Sequence, residues 1–97
     1  MVDNNQGLED ELAAGINQWD LFPNPTQDLL HIHLKLDQAE SLSLNLFDIR
    51  GKKVYAKALG MRQEVETQID LGQLPAGLYL LQVQTPLGQG TRRVVKE

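Results

Sequence analysis

Hydrophobic and polar residues alternate along most of the chain from residue 19 onward. A period of two places every second side chain on the same face of a β-strand, so each alternating stretch predicts a strand with one buried face. Seven stretches have this pattern or are short apolar runs bounded by turn residues: Trp19–Phe22, Leu29–Leu36, Ser41–Phe47, Lys52–Ala58, Glu64–Asp70, Leu78–Val83 and Gln89–Lys96. No helical pattern occurs after residue 18, so the sequence predicts an all-β domain.

The predicted connections are short and rich in turn-forming residues: Pro23–Pro25, Asp37–Glu40, Asp48–Gly51, Leu59–Gln63, Pro75–Gly77 and Thr85–Gly88. Asp48 and Gly51 occupy the first and fourth positions of a type I turn, where each is favoured. Short turns join antiparallel neighbours. Seven strands joined in this way are typical of an antiparallel immunoglobulin-like β-sandwich, and a small β-barrel is the alternative that periodicity does not separate from it.

Tyr79 follows the Pro75–Gly77 turn and shares a strand face with Leu81 and Val83. This is the placement of a tyrosine corner, in which the ring fills the edge of the core and the hydroxyl bonds to a backbone group of the preceding loop. We therefore expect Tyr79 to be buried and to hold the turn before it.

Composition narrows the classes of protein further. The chain has 97 residues, 41% of them hydrophobic, and no cysteine, which fits one domain without disulfides or thiolate chemistry. No segment approaches the roughly 18–20 apolar residues of a membrane span, and Met1–Gln18 lacks the basic start and apolar core of a signal peptide. Absence of disulfides does not exclude export.

The acidic character of the chain belongs to its first residues. Met1–Gln18 contains four carboxylates and no basic residue, and the net charge of the whole chain is −4, so the remainder is formally neutral. Residues 1–18 are therefore expected to be a mobile or loosely docked acidic linker, and residues 19–97 the folded domain. With no basic stripe in the domain, nucleic-acid binding is not expected.

Histidines and carboxylates are the residues from which a catalytic or metal site would be built. His31 and His33 share a strand face and would need a third ligand such as Asp28 or Asp48 to hold a metal ion. Nothing in the sequence fixes either aspartate nearby, so outward polar residues of an amphipathic strand are the preferred interpretation.

The sequence gives weaker support to any other catalytic or ligand-binding site. Aspartates border turns or strand ends at Asp20, Asp28, Asp48 and Asp70, where backbone hydrogen bonding explains them better than calcium binding or acid–base work. Ser41 and Ser43 lack a nucleophile elbow, and there is no glycine-rich phosphate loop. We expect no catalytic residue, no metal and no cofactor.

Four patches of sequence resemble the C-terminal sorting domain (type A) of cargo proteins of the bacterial type IX secretion system. They are Leu21–Pro25, Leu46–Val54, Asp70–Tyr79 and Arg92–Lys96, in the same order and spacing as in that family. Phe22 departs from the tyrosine that the family often has there. The resemblance identifies a family motif, mainly structural, in Pro23, Asn24, Pro25, Asp48, Gly51, Gly77 and Tyr79.

The resemblance also implies a function. Such a domain is a non-catalytic sorting signal that follows an attached N-terminal cargo domain. Outer-membrane translocon and shuttle components recognise the signal after the protein has passed into the periplasm of a Gram-negative bacterium. A surface sortase then removes it, and the cargo is secreted or held at the cell surface. Cleavage is expected within or just before residues 1–18, and the chain is expected to be a piece of a longer exported protein.

The expected recognition residues lie on the last predicted strand, because they combine charge with a terminal position: Arg92, Arg93, Val94, Val95 and Lys96. Lys96→Ala is predicted to leave the melting temperature unchanged and to weaken export. The competing function is an immunoglobulin-like accessory module that binds carbohydrate or protein through an exposed aromatic platform, with Trp19 and Tyr55 as candidates. Weak self-association through an exposed edge strand is left open.

Overall fold

Five antiparallel strands make up the fold. The computed structural model describes residues 15–97, which form β1 (Ile16–Phe22), β2 (Leu29–Asp48), β3 (Lys53–Asp70), β4 (Gly77–Thr85) and β5 (Gly88–Lys96). β2 is central, because it pairs with β1, β3 and β4, and β4 pairs in turn with β5. Within the described range there is no helix long and apolar enough to span a membrane.

The all-β prediction is confirmed, but the predicted count of seven strands is not. β2 and β3 are each one long strand where the sequence predicts two, and the predicted loops at residues 37–40 and 59–63 stay extended. There the register places Glu40 opposite Arg62, Ser41 opposite Met61 and Leu42 opposite Gly60. Bulges on either side absorb the residues that break the alternation, and Gly60 takes φ +76°.

The bends allow β2 and β3 to contribute to two layers. Residues 31–36 of β2 pair with β1, whereas residues 43–48 pair with β4, and β3 accompanies β2 through both halves. Each long strand therefore runs through one layer, bends, and runs back through the other. The layer that contains β1 is the first layer, and the layer that contains β4 and β5 is the second. We call the bent region, residues 36–42 and 59–63, the arch end of the molecule.

Alternate residues from both layers fill a single core, as the sequence pattern predicts. Its buried hydrophobic residues are Trp19, Leu30, Ile32, Leu34, Leu36, Leu42, Leu44, Leu46, Val65, Ile69, Leu71, Tyr79, Leu81, Val83 and Val94. β1 begins at Ile16 rather than at Trp19. The predicted linker over residues 1–18 lies mostly outside the described residues, and the division of the chain there stays a prediction.

The described chain begins at the arch end. Gly15 accepts a hydrogen bond from the backbone N–H of Asp37 at 3.0 Å. It also lies against Leu87 of the β4–β5 turn, where a Cβ on Gly15 would come within 3.1 Å of the Leu87 Cδ1. Gly15 therefore lies between the start of the arch in β2 and the β4–β5 turn.

Candidate recognition surface

The turn between β2 and β3 is organised by Asp48. Its Oδ1 accepts the backbone N–H groups of Arg50 (2.9 Å) and Lys52 (3.0 Å), and its Oδ2 accepts the Arg50 guanidinium at 3.2 Å. These bonds, the Lys52 N–H first among them, hold the pKa of Asp48 below its ordinary value. Gly51 has φ +85°, a conformation that glycine adopts without strain. The Gly51 N–H donates to the Asp48 carbonyl oxygen at 3.0 Å, so the four-residue turn predicted at Asp48–Gly51 is present, and its type I assignment stays a prediction.

The tyrosine corner is also present. The Tyr79 hydroxyl donates to the Pro75 carbonyl oxygen at 2.6 Å, and the ring is buried in the core. Gly77, between them, has φ +151°, which lets the chain turn into β4. Tyr79 lies opposite Asp48 in the β2–β4 register, so this corner and the Asp48 turn are neighbours. Together they line a cavity of about 400 Å³.

The Pro23-Asn24-Pro25 segment attaches the end of β1 to the outer edge of β5. The Asn24 Nδ2 donates to the Arg93 carbonyl oxygen, and its Oδ1 accepts the Val95 N–H, each at 3.0 Å. Next to it, Thr26 donates its N–H to the Val95 carbonyl at 2.9 Å and accepts the Glu97 N–H at 2.8 Å. The segment thus occupies the backbone groups that this part of the edge would otherwise leave open.

The five expected recognition residues lie on two faces of β5. Val94 is fully buried in the core, so its side chain is not available to a partner. Arg92 points to the same side, where its Nη1 donates to the Trp19 carbonyl at 2.6 Å and its guanidinium lies 5.7 Å from the centre of the Trp19 ring. Arg92 is therefore a structural link between the β1 and β5 edges rather than the exposed cation that its charge suggests.

Arg93 and Val95 lie on the opposite, outer face of β5, and Lys96 is half-buried at its end, where its ammonium donates to the Glu97 carbonyl at 3.1 Å. Val95 is 38% exposed and lies opposite Leu78, which is 39% exposed. Ile49, at the tip of the Asp48 turn, is 75% exposed and lines the same cavity as Leu78. Leu78 also lines a second cavity, with Arg93, Val95 and Asn24.

All four sequence patches therefore meet at one end of the molecule, opposite the arch end. We call it the motif end. Its outer surface has an apolar centre of Ile49, Leu78 and Val95, with Arg50, Lys52 and Arg93 around it; these six residues are named here the recognition strip. Sequence reasoning missed Ile49 and Leu78. Leu78 has the opposite strand parity to the buried Tyr79, and that parity is the signal that identifies it as outward.

The histidine face lies in the other layer. His33 Nε2 is 2.8 Å from the Glu64 Oε2, and its Nδ1 is 3.7 Å from the Asp20 Oδ2, whereas Asp28 and Asp48 are not its neighbours. The hydrogen bond from His33 lowers the pKa of Glu64. Among residues 15–97, no group of three or more histidine and carboxylate side chains is arranged to hold a metal ion.

The aromatic side chain that is exposed is Phe22, and not either of the two expected candidates, Trp19 and Tyr55. Trp19 is only 5% exposed, and its indole Nε1 has no hydrogen-bond partner among the described residues. Tyr55 is half-buried. Phe22 is 52% exposed and stacks on His31 with ring centres 5.4 Å apart. The proposal of Trp19 as a binding platform is therefore wrong, because the ring packs beneath Arg92 in the core.

Comparison with known protein families agrees with this arrangement. Residues 20–97 match the family described as the secretion system C-terminal sorting domain. The chain belongs to this family. The match begins within β1 and includes every strand that contributes to the motif end, so the sorting domain and the described fold coincide over nearly their whole length.

Solved structures give independent support for the fold. The sorting domain resembles a DUF3244 family protein from Bacteroides vulgatus, described as having an immunoglobulin-like β-sandwich fold, with a TM-score of 0.60. The similarity covers 84% of this chain and 99% of the other at 20% sequence identity, which shows the fold alone. None of the curated proteins matches the chain.

Proposed function

We propose that this domain is the non-catalytic signal that directs an attached cargo protein through the outer membrane by the type IX secretion system. The translocon reads it at the motif end, and a surface sortase then separates it from the cargo. The observation that carries this proposal is the meeting of all four sequence patches in one surface.

The recognition strip has the chemistry of a protein-binding surface. Exposed apolar residues clustered at one end and bordered by cations are typical of a contact site, since scattered exposed hydrophobic residues need no such explanation. Here Leu78 belongs to both cavities, so the apolar centre is continuous from Ile49 to Val95. The strand ends that carry this surface are held in place by the hydrogen bonds of Asn24, Tyr79 and Asp48.

An export assay with point variants tests the proposal. A fluorescent protein with a signal peptide is fused ahead of residues 2–97 in a cell that has the type IX machinery. Ile49→Glu and Leu78→Glu, in the recognition strip, are expected to leave the fusion in the periplasm. Leu87→Glu is the matched control, because Leu87 is also apolar and 60% exposed but lies at the arch end.

Normal export of both strip variants would contradict recognition at the motif end, provided that each variant shows the native fluorescence of the buried Trp19. Lys96→Ala remains a predicted export variant that keeps its melting temperature. Sortase removal is tested separately by N-terminal and C-terminal sequencing of released cargo. A released product whose C-terminus lies inside residues 19–97 would contradict cleavage in or before the acidic linker.

A carbohydrate-binding accessory module is the second candidate, and Phe22 is the residue that favours it. The ring and His31 border a cavity of about 400 Å³ on the outer face of the first layer, with His33, Glu66 and Gln68 as polar groups. Stacking on an aromatic ring and hydrogen bonding to such groups is how proteins hold small polar ligands. Phe22→Ala would abolish glycan binding under this reading and would leave export unchanged under the sorting proposal.

A further inference from the structure

The cavity between the β2–β3 turn and the tyrosine corner, which we call the anchor cavity, is lined mainly by apolar groups. Its volume is about 400 Å³, within the range of pockets that hold small molecules. Val54 and Leu74 line it and also pack against the core, and Tyr79, which lines it too, is buried. Ile49 and Leu78 line it and are exposed. The anchor cavity therefore connects the exposed centre of the recognition strip to the edge of the core.

Both sides of the anchor cavity are held by hydrogen bonds within the domain itself. On one side, Asp48 accepts the backbone N–H groups of Arg50 and Lys52. On the other, the Tyr79 hydroxyl donates to the Pro75 carbonyl oxygen at 2.6 Å. Binding to a cavity that is already formed costs little, since no loop has to be ordered. A rigid occupant binds there most favourably, because neither partner then loses much conformational freedom.

One wall of the anchor cavity carries only compact side chains. It consists of Pro75, Ala76 and Gly77, whose side chains are a ring, a methyl group and a hydrogen atom. A Cβ built on Gly77 would meet no heavy atom within 4 Å beyond its two neighbouring residues, so the space beside this wall is open. Aromatic side chains are planar and bury a large area at a low cost in conformational entropy. The shape of the cavity therefore favours an aromatic ring over a flexible aliphatic chain.

Three charged residues border the anchor cavity: Asp48, Arg50 and Lys52. The Arg50 guanidinium lies 3.2 Å from the Asp48 Oδ2, so these two charges compensate each other. The Lys52 ammonium is exposed and forms no ion pair or side-chain hydrogen bond with any residue in the range 15–97. An apolar cavity with such a cation at its rim is complementary to an aromatic ring that has a carboxylate beside it.

We infer that the anchor cavity binds one aromatic side chain of the secretion machinery, and that a carboxylate next to this ring pairs with Lys52. The partner named here belongs to the surface described under the proposed function, so the assignment rests on that function. Protein interfaces concentrate much of their binding energy in a few central anchors surrounded by weaker contacts. The anchor cavity is such a centre, and Arg93 and Val95 belong to the surrounding contacts.

A nuclear magnetic resonance titration with small probes tests the site. The probes are N-acetylphenylalanine, which has a carboxylate, and its uncharged amide. We expect the acid to shift the amide signals of Ile49, Lys52 and Leu78 with a dissociation constant on the order of 1 mM. The uncharged probe is expected to bind about two to five times more weakly, because it lacks the exposed ion pair. Absence of saturable shifts at these three residues would overturn the inference.

A lysine variant isolates the ion pair. In Lys52→Ala the two probes are expected to bind equally, because the cation that distinguishes them is gone. A difference that survives this substitution would overturn the pairing of the carboxylate with Lys52. Trp19 fluorescence reports that the variant is folded.

Filling the cavity tests where the ring binds. Ala76→Phe is expected to weaken both probes by about tenfold or more, because the new ring occupies the space that the probe needs. Ala58→Phe is the matched control, since Ala58 is also an exposed alanine but lines neither cavity at the motif end. Unchanged binding in a folded Ala76→Phe domain would contradict the anchor cavity as the site. Both variants keep Trp19 as the only tryptophan, and its fluorescence reports folding.

The same phenylalanine variants separate the anchor from the secretion signal. In the export assay, the Ala76→Phe fusion is expected to stay in the periplasm and the Ala58→Phe fusion to be exported. Export of Ala76→Phe together with retention of Leu78→Glu would overturn the anchor and leave recognition at the motif end intact. The titration contains no secretion machinery, so loss of the proposed function would leave its result unaffected. Shifts of the Ile49 and Leu78 signals with protein concentration alone would assign the cavity to a second copy of the chain and overturn the choice of partner.

Discussion

Replacing Asn24 by alanine tests whether the Pro-Asn-Pro patch acts by holding the last strand. The substitution removes both side-chain hydrogen bonds to the Arg93 and Val95 backbone. A neutral hydrogen bond contributes about 0.5–1.5 kcal/mol, and Asn24 is exposed to water, which competes for its partners. We expect a loss of about 1–2 kcal/mol of unfolding free energy and a fall in Tm of about 5–15 °C for a domain of this size.

Urea unfolding followed by Trp19 fluorescence measures the loss, and amide hydrogen exchange locates it. The Val95 N–H should exchange faster in Asn24→Ala, because the Asn24 side chain is its hydrogen-bond acceptor. The Val94 N–H lies within the β4–β5 pairing and should keep its protection relative to global unfolding. Asn24→Asp is the control, since it retains an acceptor for Val95 and loses the donor to Arg93. Unchanged Val95 exchange in the alanine variant would refute the reasoning.

Three further predictions concern the elements behind the recognition strip. Tyr79→Phe should cost about 1–2 kcal/mol in urea unfolding, because it leaves the Pro75 carbonyl without the hydroxyl donor; an unchanged midpoint would contradict the corner. A chain ending at Gly90 should lose native Trp19 fluorescence, because it lacks Val94 of the core; a folded product would contradict that dependence. Asp48→Ala should destabilise at pH 7 but progressively less as the pH falls below 3.8. A carboxylate whose pKa is lowered by folding stabilises fully above its ordinary value and loses the effect as it protonates; a pH-independent difference in urea midpoints would exclude this.

The prediction for the chain ending at Gly90 matters for secretion experiments. Deleting residues 91–97 removes most of β5 and its pairing with β4, so loss of export in such a chain would report unfolding as readily as loss of a signal. Substitutions at Ile49 or Leu78 change exposed side chains and leave the strand pairing intact. They separate recognition from folding.

Local patterns were sufficient for much of the fold. Alternation identified the inward residues of both halves of β2, and the Asp48 turn and the Tyr79 corner follow from residues close together in the chain. The loops at 37–40 and 59–63 were wrong because polar residues and Gly60 end the alternation there, whereas backbone pairing between β2 and β3 continues through bulges. Pairing of that kind depends on the neighbouring strand and leaves no period in one sequence.

The recognition surface was harder to predict for the same reason. Asn24 bonds to residues about 70 positions later, and no local pattern contains such a contact. Arg92 was expected to be exposed because it is charged, but it shares strand parity with Val94 and covers Trp19. Parity was the better guide than charge at Arg92 and at Leu78. Charge alone identified the basic end of β5 without distinguishing its faces.

The opposite placement of Gly15 and the motif end determines how the domain responds to tension. If the motif end is held while the chain is pulled at Gly15, the force runs along β1 and parallel to its pairing with β2. The interstrand hydrogen bonds from Ile16 to Phe22 are then sheared together instead of being opened one after another. Unfolding under force is governed by the rate of the first rupture. This geometry predicts a mechanically resistant domain. A force applied between Gly15 and the motif end would move the domain as a folded body before it unfolded.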